Sequence, residues 1–441
     1  MTNDVVRPDR AGPWRTVLKS PLLAELTAGV NTLAASAEFW TVVEAATTPL
    51  VEPIAGDPSA VCVTFLLRAP AASGPWTLCD GVSPAAAAEF ELANLAGTDI
   101  WHVSLRLPCD TRVTYAFTRD VSPGSAGGAF DWAAHFAGRR ADPYNPRAVH
   151  HPDQGLPLSP WGRTVSLLDL AAPARPAHPD RTGAGAGAGR TAVHEVGSAA
   201  LGRPSPVHTY TPAGLVPGED TPVVVLLDGW ELLEIGSIAA VFDRLVAAGD
   251  VVPFIALMPD PREHRPRDLH LSDAYCTFLG EELLAWARER FGVRPRPTTT
   301  VVGGASLGGL TAMYAAWRRP DVFGKVISLI GAFGAKRDGR PDWLARQYAS
   351  TERLPLEFYL AAGLLDDDVF PSGLATMLAS NRHLRTVLAG KGYRLTYDEF
   401  PGGHDWVWLP GRFADGLATL LGPPGGPAAA HRTARGGQAP A

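Results

Sequence analysis

The 441-residue sequence has few cysteines and no concentration of positive charge, and each scarcity excludes a class of protein. Cys62, Cys79, Cys109 and Cys276 are spread without a C-x-x-C spacing. This argues against a zinc site or a disulfide framework and favours a reducing compartment. The net charge is −6, and there is no basic run to follow the phosphates of a nucleic acid.

Long apolar segments are also missing. No run approaches the roughly 18 apolar residues of a membrane span. Residues 1–10 carry early acidic side chains and no apolar signal region. We therefore expect a cytoplasmic protein with neither a nucleic-acid partner nor a membrane partner. The hydrophobic fraction of 46% is enough for large cores, and the length exceeds that of one ordinary domain.

Residues 298–310 have the pattern of a nucleophile elbow. A β-branched run leads into Gly304-Ala-Ser306-Leu307-Gly308, and an apolar, alanine-rich segment with helical character follows. The glycines allow a turn so tight that side chains there would collide with the neighbouring strand and helix. The pattern predicts Ser306 as a nucleophile and the Leu307 amide, at a helix N-terminus, as an oxyanion donor. A chance match in a glycine-rich chain is the alternative, and the strand and helix context disfavours it.

A serine nucleophile needs a base and an acid, which follow it in the order acid, then histidine, in this kind of site. An apolar strand candidate, residues 354–360, runs into Asp366, Asp367 and Asp368, and a later one, residues 394–400, runs into Gly-Gly-His404. Loops at the carboxyl ends of strands line the crevice of an open α/β sheet. His404 is the predicted base. One of the three aspartates would orient it, and the others would be helix caps or solvated groups.

A second oxyanion donor is expected after an early central strand. The apolar run 221–227 ends in Asp228-Gly229-Trp230, where Asp-Gly permits a sharp turn and close approach of the backbone to a ligand. The donor is predicted to be the amide of Trp230 or Gly229. The alternative is a plain strand-ending turn.

Composition shifts divide the chain into five segments. We expect an N-terminal helical segment at 1–56, a β-sandwich domain at 57–150 with short strands and turn signals, and a Pro/Gly-rich linker at 151–204. Alternating strands and helices at 205–422 predict an α/β catalytic domain, and 423–441 a disordered tail.

These motifs together resemble the enterochelin esterases, cytoplasmic hydrolases of ferric catecholate siderophores related to the esterase D group. The resemblance covers most of the chain. It rests on Phe39-Trp40, 48–53, Gly97-Thr-Asp-Ile-Trp101, Asp142-Pro-Tyr-Asn-Pro146, Leu226-Leu-Asp-Gly229, 304–309, 319–324 and Gly402-Gly-His-Asp405 followed by Trp408. It implies an α/β-hydrolase domain preceded by an N-terminal immunoglobulin-like β-sandwich domain that helps to cover the site. It also favours Asp366 as the triad acid, since the family has an acidic residue shortly after Ala-Gly.

One element departs from the family pattern. Family members commonly have Arg-x-x-Glu-Leu followed by Asn, whereas this chain has Arg265-Pro-Arg267-Asp268-Leu269 with Ser272 at the Asn position. Substrate contacts could therefore differ. Arg262, Arg265 and Arg267 form a basic loop suited to an anionic ligand such as an iron tris-catecholate, or a solvated loop paired with Asp260, Glu263 and Asp268. The nearby histidines match no strong metal-ligand spacing, so no metal site is predicted.

The resulting hypothesis is a serine esterase that cleaves the ester bonds of a ferric siderophore such as enterobactin and so releases iron. It needs no cofactor, because iron arrives only with the substrate. Three alternatives stay open: an acyltransferase with the same triad, an esterase for a feruloyl-type or other secondary-metabolite ester, and a siderophore- or carbohydrate-binding protein without catalysis.

Overall fold

The computed structural model describes residues 14–80, 90–119, 137–156, 162–171, 187–367 and 376–423. The chain forms two compact units. The N-terminal unit comprises residues 1–175 together with two later segments, 363–376 and 401–405. The C-terminal unit comprises residues 176–362, 377–400 and 406–441.

The N-terminal unit is built on two antiparallel four-stranded sheets. Their orders are β1-β2-β5-β4 and β3-β6-β8-β7. The strands are β1 Leu50–Ile54, β2 Asp57–Arg68, β3 Trp76–Asp80, β4 Ala93–Asn94, β5 Ile100–Pro108, β6 Arg112–Arg119, β7 Ala148–His150 and β8 Thr164–Asp169. Apolar side chains of both sheets share one buried core, which includes Phe65 and Val103 from the first sheet and Tyr115 and Phe117 from the second. Two sheets that share a core account for the extensive burial of β2, β5 and β6.

Two helices, α1 Pro21–Leu26 and α2 Leu33–Ala46, precede these strands. The Thr32 side chain caps α2 by accepting a hydrogen bond from the Ala35 amide. Phe39, Trp40 and Val43 of α2 form a buried cluster with Leu66 and Ile100.

Trp40 also connects motifs that are distant in sequence. Its indole N–H donates to Asp99 at 2.9 Å, and its ring stacks on Tyr144 with ring centres 5.0 Å apart. Three of the motifs that carry the family resemblance therefore form one contact cluster.

The C-terminal unit contains an eight-stranded sheet of order β16-β15-β14-β13-β11-β12-β10-β9. The strands are β9 Arg190–Val196, β10 Ser205–Thr211, β11 Val223–Leu226, β12 Ile255–Pro259, β13 Thr300–Ala305, β14 Lys325–Leu329, β15 Glu357–Gly363 and β16 Arg394–Phe400. Strands β12, β11, β13, β14 and β15 are parallel in that spatial order, whereas β9 and β10 are antiparallel additions. The central strands are continuous buried apolar runs, as expected when helices cover both faces.

Helices separate these strands along the chain. The α-helices are α3 Ile238–Ala247, α4 Arg265–Asp268, α5 Asp273–Thr277, α6 Leu284–Phe291, α7 Leu307–Arg318, α8 Trp343–Ser350, α9 Met377–Gly390 and α10 Leu409–Leu421. Two π-helical segments, Glu231–Ile235 and Phe278–Leu283, and 3₁₀ turns at 71–73 and 262–264 complete the described helices. Two buried clusters, which together include side chains from both faces of the sheet, form the core.

Three of the expected segment boundaries need correction. Residues 1–56 are not a separate segment, because β1 pairs with β2 and α2 packs on the same sheet. The segment 151–204 contains β8 of the N-terminal unit and β9 of the large sheet. Edge strand β9 alternates exposed and half-buried residues, so it lacks the apolar run that marks a central strand. Residues 1–13, the glycine-alanine repeat as far as residue 186, and the tail from residue 424 lie outside the described residues.

Candidate active site

Ser306 lies between strand β13 and helix α7, as its motif predicts. Its backbone angles are φ 56° and ψ −119°, a conformation that costs free energy for a residue other than glycine. A Cβ on Gly304 would lie 2.5 Å from the carbonyl carbon of Gly308. The first glycine of the motif therefore packs against the backbone of the last, and the turn closes only because Gly304 lacks a side chain.

Backbone hydrogen bonds hold this strained turn. The Ser306 amide donates to the Leu329 carbonyl at 3.0 Å. Its carbonyl accepts from the amides of Leu310 and Ala332, both at 3.0 Å. The serine is half-buried. The neighbouring strand and helix therefore fix the backbone that presents the Ser306 side chain at the tip of the turn.

The predicted oxyanion donors flank the elbow. Leu307 is the first residue of α7, where backbone N–H groups have no partner within the helix. A Cβ on Gly308 would lie 3.1 Å from the Asp228 carboxylate. The turn that contains Asp228, Gly229 and Trp230 therefore borders the first turn of α7. Both predicted donor segments lie together in the C-terminal unit.

Gly229 has a packing role that the sequence did not reveal. A Cβ there would lie 2.2 Å from the Met258 carbonyl oxygen and 2.9 Å from the His208 ring. Close approach of the neighbouring strand β12 therefore already requires a glycine. Trp230, the next residue, precedes the π-helical segment Glu231–Ile235. The oxyanion role of either amide stays a prediction.

His404 and Asp366 are adjacent within the N-terminal unit. Nδ1 of His404 lies 2.9 Å from Oδ2 of Asp366, and the two side chains are 7% and 2% exposed. A carboxylate oxygen facing Nδ1 favours the tautomer with its proton on Nδ1, which leaves Nε2 as the basic nitrogen. Asp366 is thus the aspartate that meets the histidine. Asp367 follows it as a half-buried residue, and Asp368 lies outside the described residues.

The three predicted substrate-binding arginines have different surroundings. Arg265 forms a bidentate pair with Asp228, with both N–O distances 2.8 Å. Arg267 is 66% exposed and lies 3.2 Å from its neighbour Asp268. The backbone of Arg262 adopts φ 52°, and its amide donates to Asp260 at 3.0 Å. The predicted pairing with Asp268 is present for Arg267, but the partner of Arg265 was not foreseen. Substrate binding by these arginines stays a prediction.

Glu231 is a buried acid that no sequence motif singles out. Burial is the main factor that raises its pKa to about 8, and the nearby Asp228 carboxylate raises it further, whereas the Arg265 guanidinium opposes the change. The Asp260 carboxylate adds to the increase. The neutral form of Glu231 is therefore favoured beside the Asp228–Arg265 pair. Nothing in the Asp-Gly-Trp-Glu sequence distinguishes this residue from an exposed helix glutamate.

Comparison with known proteins identifies the family. The model of the family described as putative esterase matches residues 198–420, about half of the chain. The chain belongs to this esterase family. The model described as enterochelin esterase, N-terminal, matches residues 62–178. The enterochelin esterase resemblance predicted from the sequence motifs is thus confirmed, and with it the general activity of a carboxylic ester hydrolase.

Curated relatives match along most of their length. An iron(III) enterobactin esterase of Dickeya dadantii is 28% identical over 87% of this chain and 92% of its own. An iron(III) salmochelin esterase of Escherichia coli is 27% identical over 96% of this chain and 100% of its own. The crystal structure of the ferric enterobactin esterase from Salmonella typhimurium has a TM-score of 0.66 at 23% identity and covers 86% of this chain and 98% of its own. These likenesses confirm the α/β fold and the preceding N-terminal domain.

Two residues in 265–272 differ from the family pattern, and the structure shows what each of them contacts. Asp268, at the position of the family glutamate, is buried and pairs with Arg203 as well as Arg267. Ser272, at the position of the family asparagine, caps α5 by accepting from the Tyr275 amide at 3.2 Å. Both residues are therefore used within the fold.

The described residues contain neither a candidate metal cluster nor a candidate membrane-spanning helix. Within them, no group of three or more His, Cys, Asp or Glu side chains has the arrangement of a metal site. In the same part of the chain, no helix combines the length and the hydropathy of a membrane span.

Proposed function

We propose that this chain is a serine esterase that hydrolyses the lactone ester bonds of a ferric catecholate siderophore of the enterobactin type. The observation that carries the proposal is an elbow serine, together with a buried His–Asp pair, in a chain that aligns with siderophore esterases over most of its length. Ring opening separates catecholates that the trilactone holds together, so it weakens the hold on iron. We place this reaction in the cytoplasm.

Ser306, His404 and Asp366 form the proposed triad. The hydroxyl of Ser306 attacks the ester carbonyl, His404 accepts its proton at Nε2 and passes it to the leaving alkoxide, and water then releases the acyl group. Asp366 holds the imidazole in the tautomer that this step needs, and the 2.9 Å contact supports that role. The serine follows β13, and the acid follows β15. Both strands run in the same direction in one sheet, which supports the grouping.

The amides of Leu307 and of Trp230 or Gly229 are the proposed oxyanion donors. Their support is the contact between the Asp228 turn and the first turn of α7. Arg262 and Arg267 are the better candidates to meet an anionic siderophore, because Arg265 already makes two hydrogen bonds to Asp228. The reaction uses no cofactor in this scheme. The two-sheet unit is proposed to be immunoglobulin-like.

The test is product analysis by mass spectrometry after incubation with ferric and iron-free enterobactin. We expect linear products from the wild type and none above background from Ser306→Ala, because the acyl-enzyme cannot form. Ser350→Ala, which removes an exposed hydroxyl at the end of α8, is the matched control and should retain full activity.

The outcomes separate the chemistry from the substrate. Hydrolysis of a p-nitrophenyl ester that depends on Ser306, without turnover of either form of enterobactin, would keep the triad and reject the siderophore. Activity of Ser306→Ala equal to that of the wild type on both substrates would reject the triad as well.

A further inference from the structure

The His404 loop is hydrogen-bonded to strand β6 on both sides of the histidine. On the N-terminal side, the Pro401 carbonyl accepts from the Arg112 amide at 3.0 Å. On the C-terminal side, the Asp405 carboxylate accepts from the Thr114 amide at 2.7 Å and lies 3.3 Å from the Thr114 hydroxyl. Arg112 and Thr114 are two residues apart in β6, so their amides point to the same side of an extended strand.

These bonds lie next to the described pairing of β3 with β6. Strand β3 pairs with β6 from Trp76 and Arg119 to Asp80 and Tyr115, and Thr114 is the next residue of β6. Beyond Tyr115, the β6 amides of Thr114 and Arg112 donate hydrogen bonds to the 401–405 loop. Asp405 and Thr114 are both buried. A buried amide hydrogen bond to a carboxylate is stronger than one between neutral groups, so this contact fixes the loop firmly.

The backbone around His404 is equally constrained. The Asp405 amide donates to the Gly403 carbonyl at 3.0 Å, which makes His404 the central residue of a three-residue turn. The Gly402 carbonyl accepts from the Leu365 amide at 2.9 Å, and Leu365 lies in the core of the N-terminal unit. The loops that carry the base and its acid are therefore tied to each other and to the same β-sheet unit.

We propose that Asp405 is a positioning residue for catalysis: it clamps the His404 turn to Thr114 and so sets the imidazole at its working distance from Asp366. This inference rests on the proposed function, and it assigns to the N-terminal unit a part in holding the catalytic base. Asp405 acts through His404 and does not touch the ester. Loss of the clamp moves the base while the serine elbow, which belongs to the C-terminal unit, is unchanged.

The kinetic test compares Asp405→Ala, Asp405→Asn and Asp142→Ala on a p-nitrophenyl ester. A displaced base lowers kcat by about 10- to 100-fold with KM nearly unchanged. Asp405→Asn keeps an oxygen that accepts from the Thr114 amide and should recover most of the loss. Asp142 is a matched control because it is buried in the same unit and accepts from Thr48, Tyr115 and Tyr144. Its alanine variant should be less stable but retain kcat where it is folded.

A proton NMR signal gives a readout that does not need turnover. The Nδ1 proton of a buried imidazole bonded to a carboxylate resonates far downfield, and its absence in His404→Ala assigns it. We expect Asp405→Ala to shift or broaden this signal and Asp142→Ala to leave it in place. An unchanged signal and kcat in Asp405→Ala, or equal changes in both alanine variants, would overturn the proposal. Hydrolysis that does not need Ser306 would contradict the proposed function, while this signal would still judge the role of Asp405.

Discussion

Ser306 and His404 are held in place by opposite means. The turn at the serine is formed mainly by a local motif, in which Gly304 packs on the backbone of Gly308 between the end of a strand and the start of a helix. Backbone hydrogen bonds to Leu329 and Ala332 complete it. The histidine depends on side chains and amides far away in sequence, such as Thr114, which lies 291 residues from Asp405. One half of a proposed catalytic site can therefore be encoded largely by a local motif, while the other half forms only after distant parts of the chain have come together.

The largest effect is expected when the contact between Asp366 and His404 is disrupted. Asp366→Asn keeps the shape of the side chain but offers an N–H to Nδ1 of His404, which stabilises the wrong tautomer. We expect kcat to fall on the order of 10⁴-fold, as when the acid of a serine protease triad is replaced by asparagine. The measurement is steady-state hydrolysis of a generic ester by wild type and variant.

Asp367→Asn is the matched control, since it changes the neighbouring aspartate of the same loop. It should lose no more than a few-fold in kcat. A larger loss in Asp367→Asn than in Asp366→Asn would exchange the two roles and contradict the 2.9 Å contact as the working one.

The next largest effect is expected when the turn around Ser306 is disrupted. Gly304→Ala places a Cβ 2.5 Å from the backbone of Gly308, which cannot move without opening the elbow. We expect the free energy of unfolding to drop by about 3 kcal/mol. The displaced serine should lower kcat by at least about 100-fold. Urea unfolding and ester hydrolysis measure the two effects.

Gly390→Ala provides the control for the elbow. It lies at the end of α9 and has open space where a Cβ would go. Alanine there should be neutral or stabilising by up to about 1 kcal/mol, because it favours the helix. If Gly304→Ala were no more harmful than Gly390→Ala, the elbow would not be as tightly closed as its geometry indicates.

The same contrast explains what the sequence could predict. The strand, turn and helix around Ser306 follow from β-branched residues, glycine and alanine in consecutive order, so the motif predicted its own structure. The central strands of the large sheet are continuous apolar runs, which made the α/β class visible. Edge strand β9 carries no such run, since one side of it faces solvent, and its sequence therefore predicts a linker.

Charge pairs within the C-terminal unit could not be foreseen for a different reason. Arg265 has acidic neighbours at 260, 263 and 268, and local spacing made them its natural partners. The fold instead places it against Asp228, 37 residues earlier, because α4 follows strand β12, which pairs with β11. Likewise, residues 401–405 belong to the N-terminal unit, where they accept hydrogen bonds from amides of β6. No local sequence pattern indicates these bonds.

The smallest effect is expected at Glu231, a buried acid near the Asp228 turn. Burial and Asp228 raise the pKa of Glu231 to about 8, so the folded state binds its proton more tightly than the unfolded state does. The stability that this proton contributes is complete below about pH 4.5 and is lost as the pH rises through 8. Glu231→Gln has no such loss. The free energy of unfolding of the variant, relative to that of the wild type, should therefore increase from pH 5 to pH 8 by at most about 1.4 kcal/mol per pH unit.

Urea unfolding at several pH values measures this difference, with exposed Glu44→Gln as the control. Parallel pH curves for wild type and Glu231→Gln would show that Glu231 is ionised when folded, and that the Asp228 turn rests on more positive charge than Arg265 supplies.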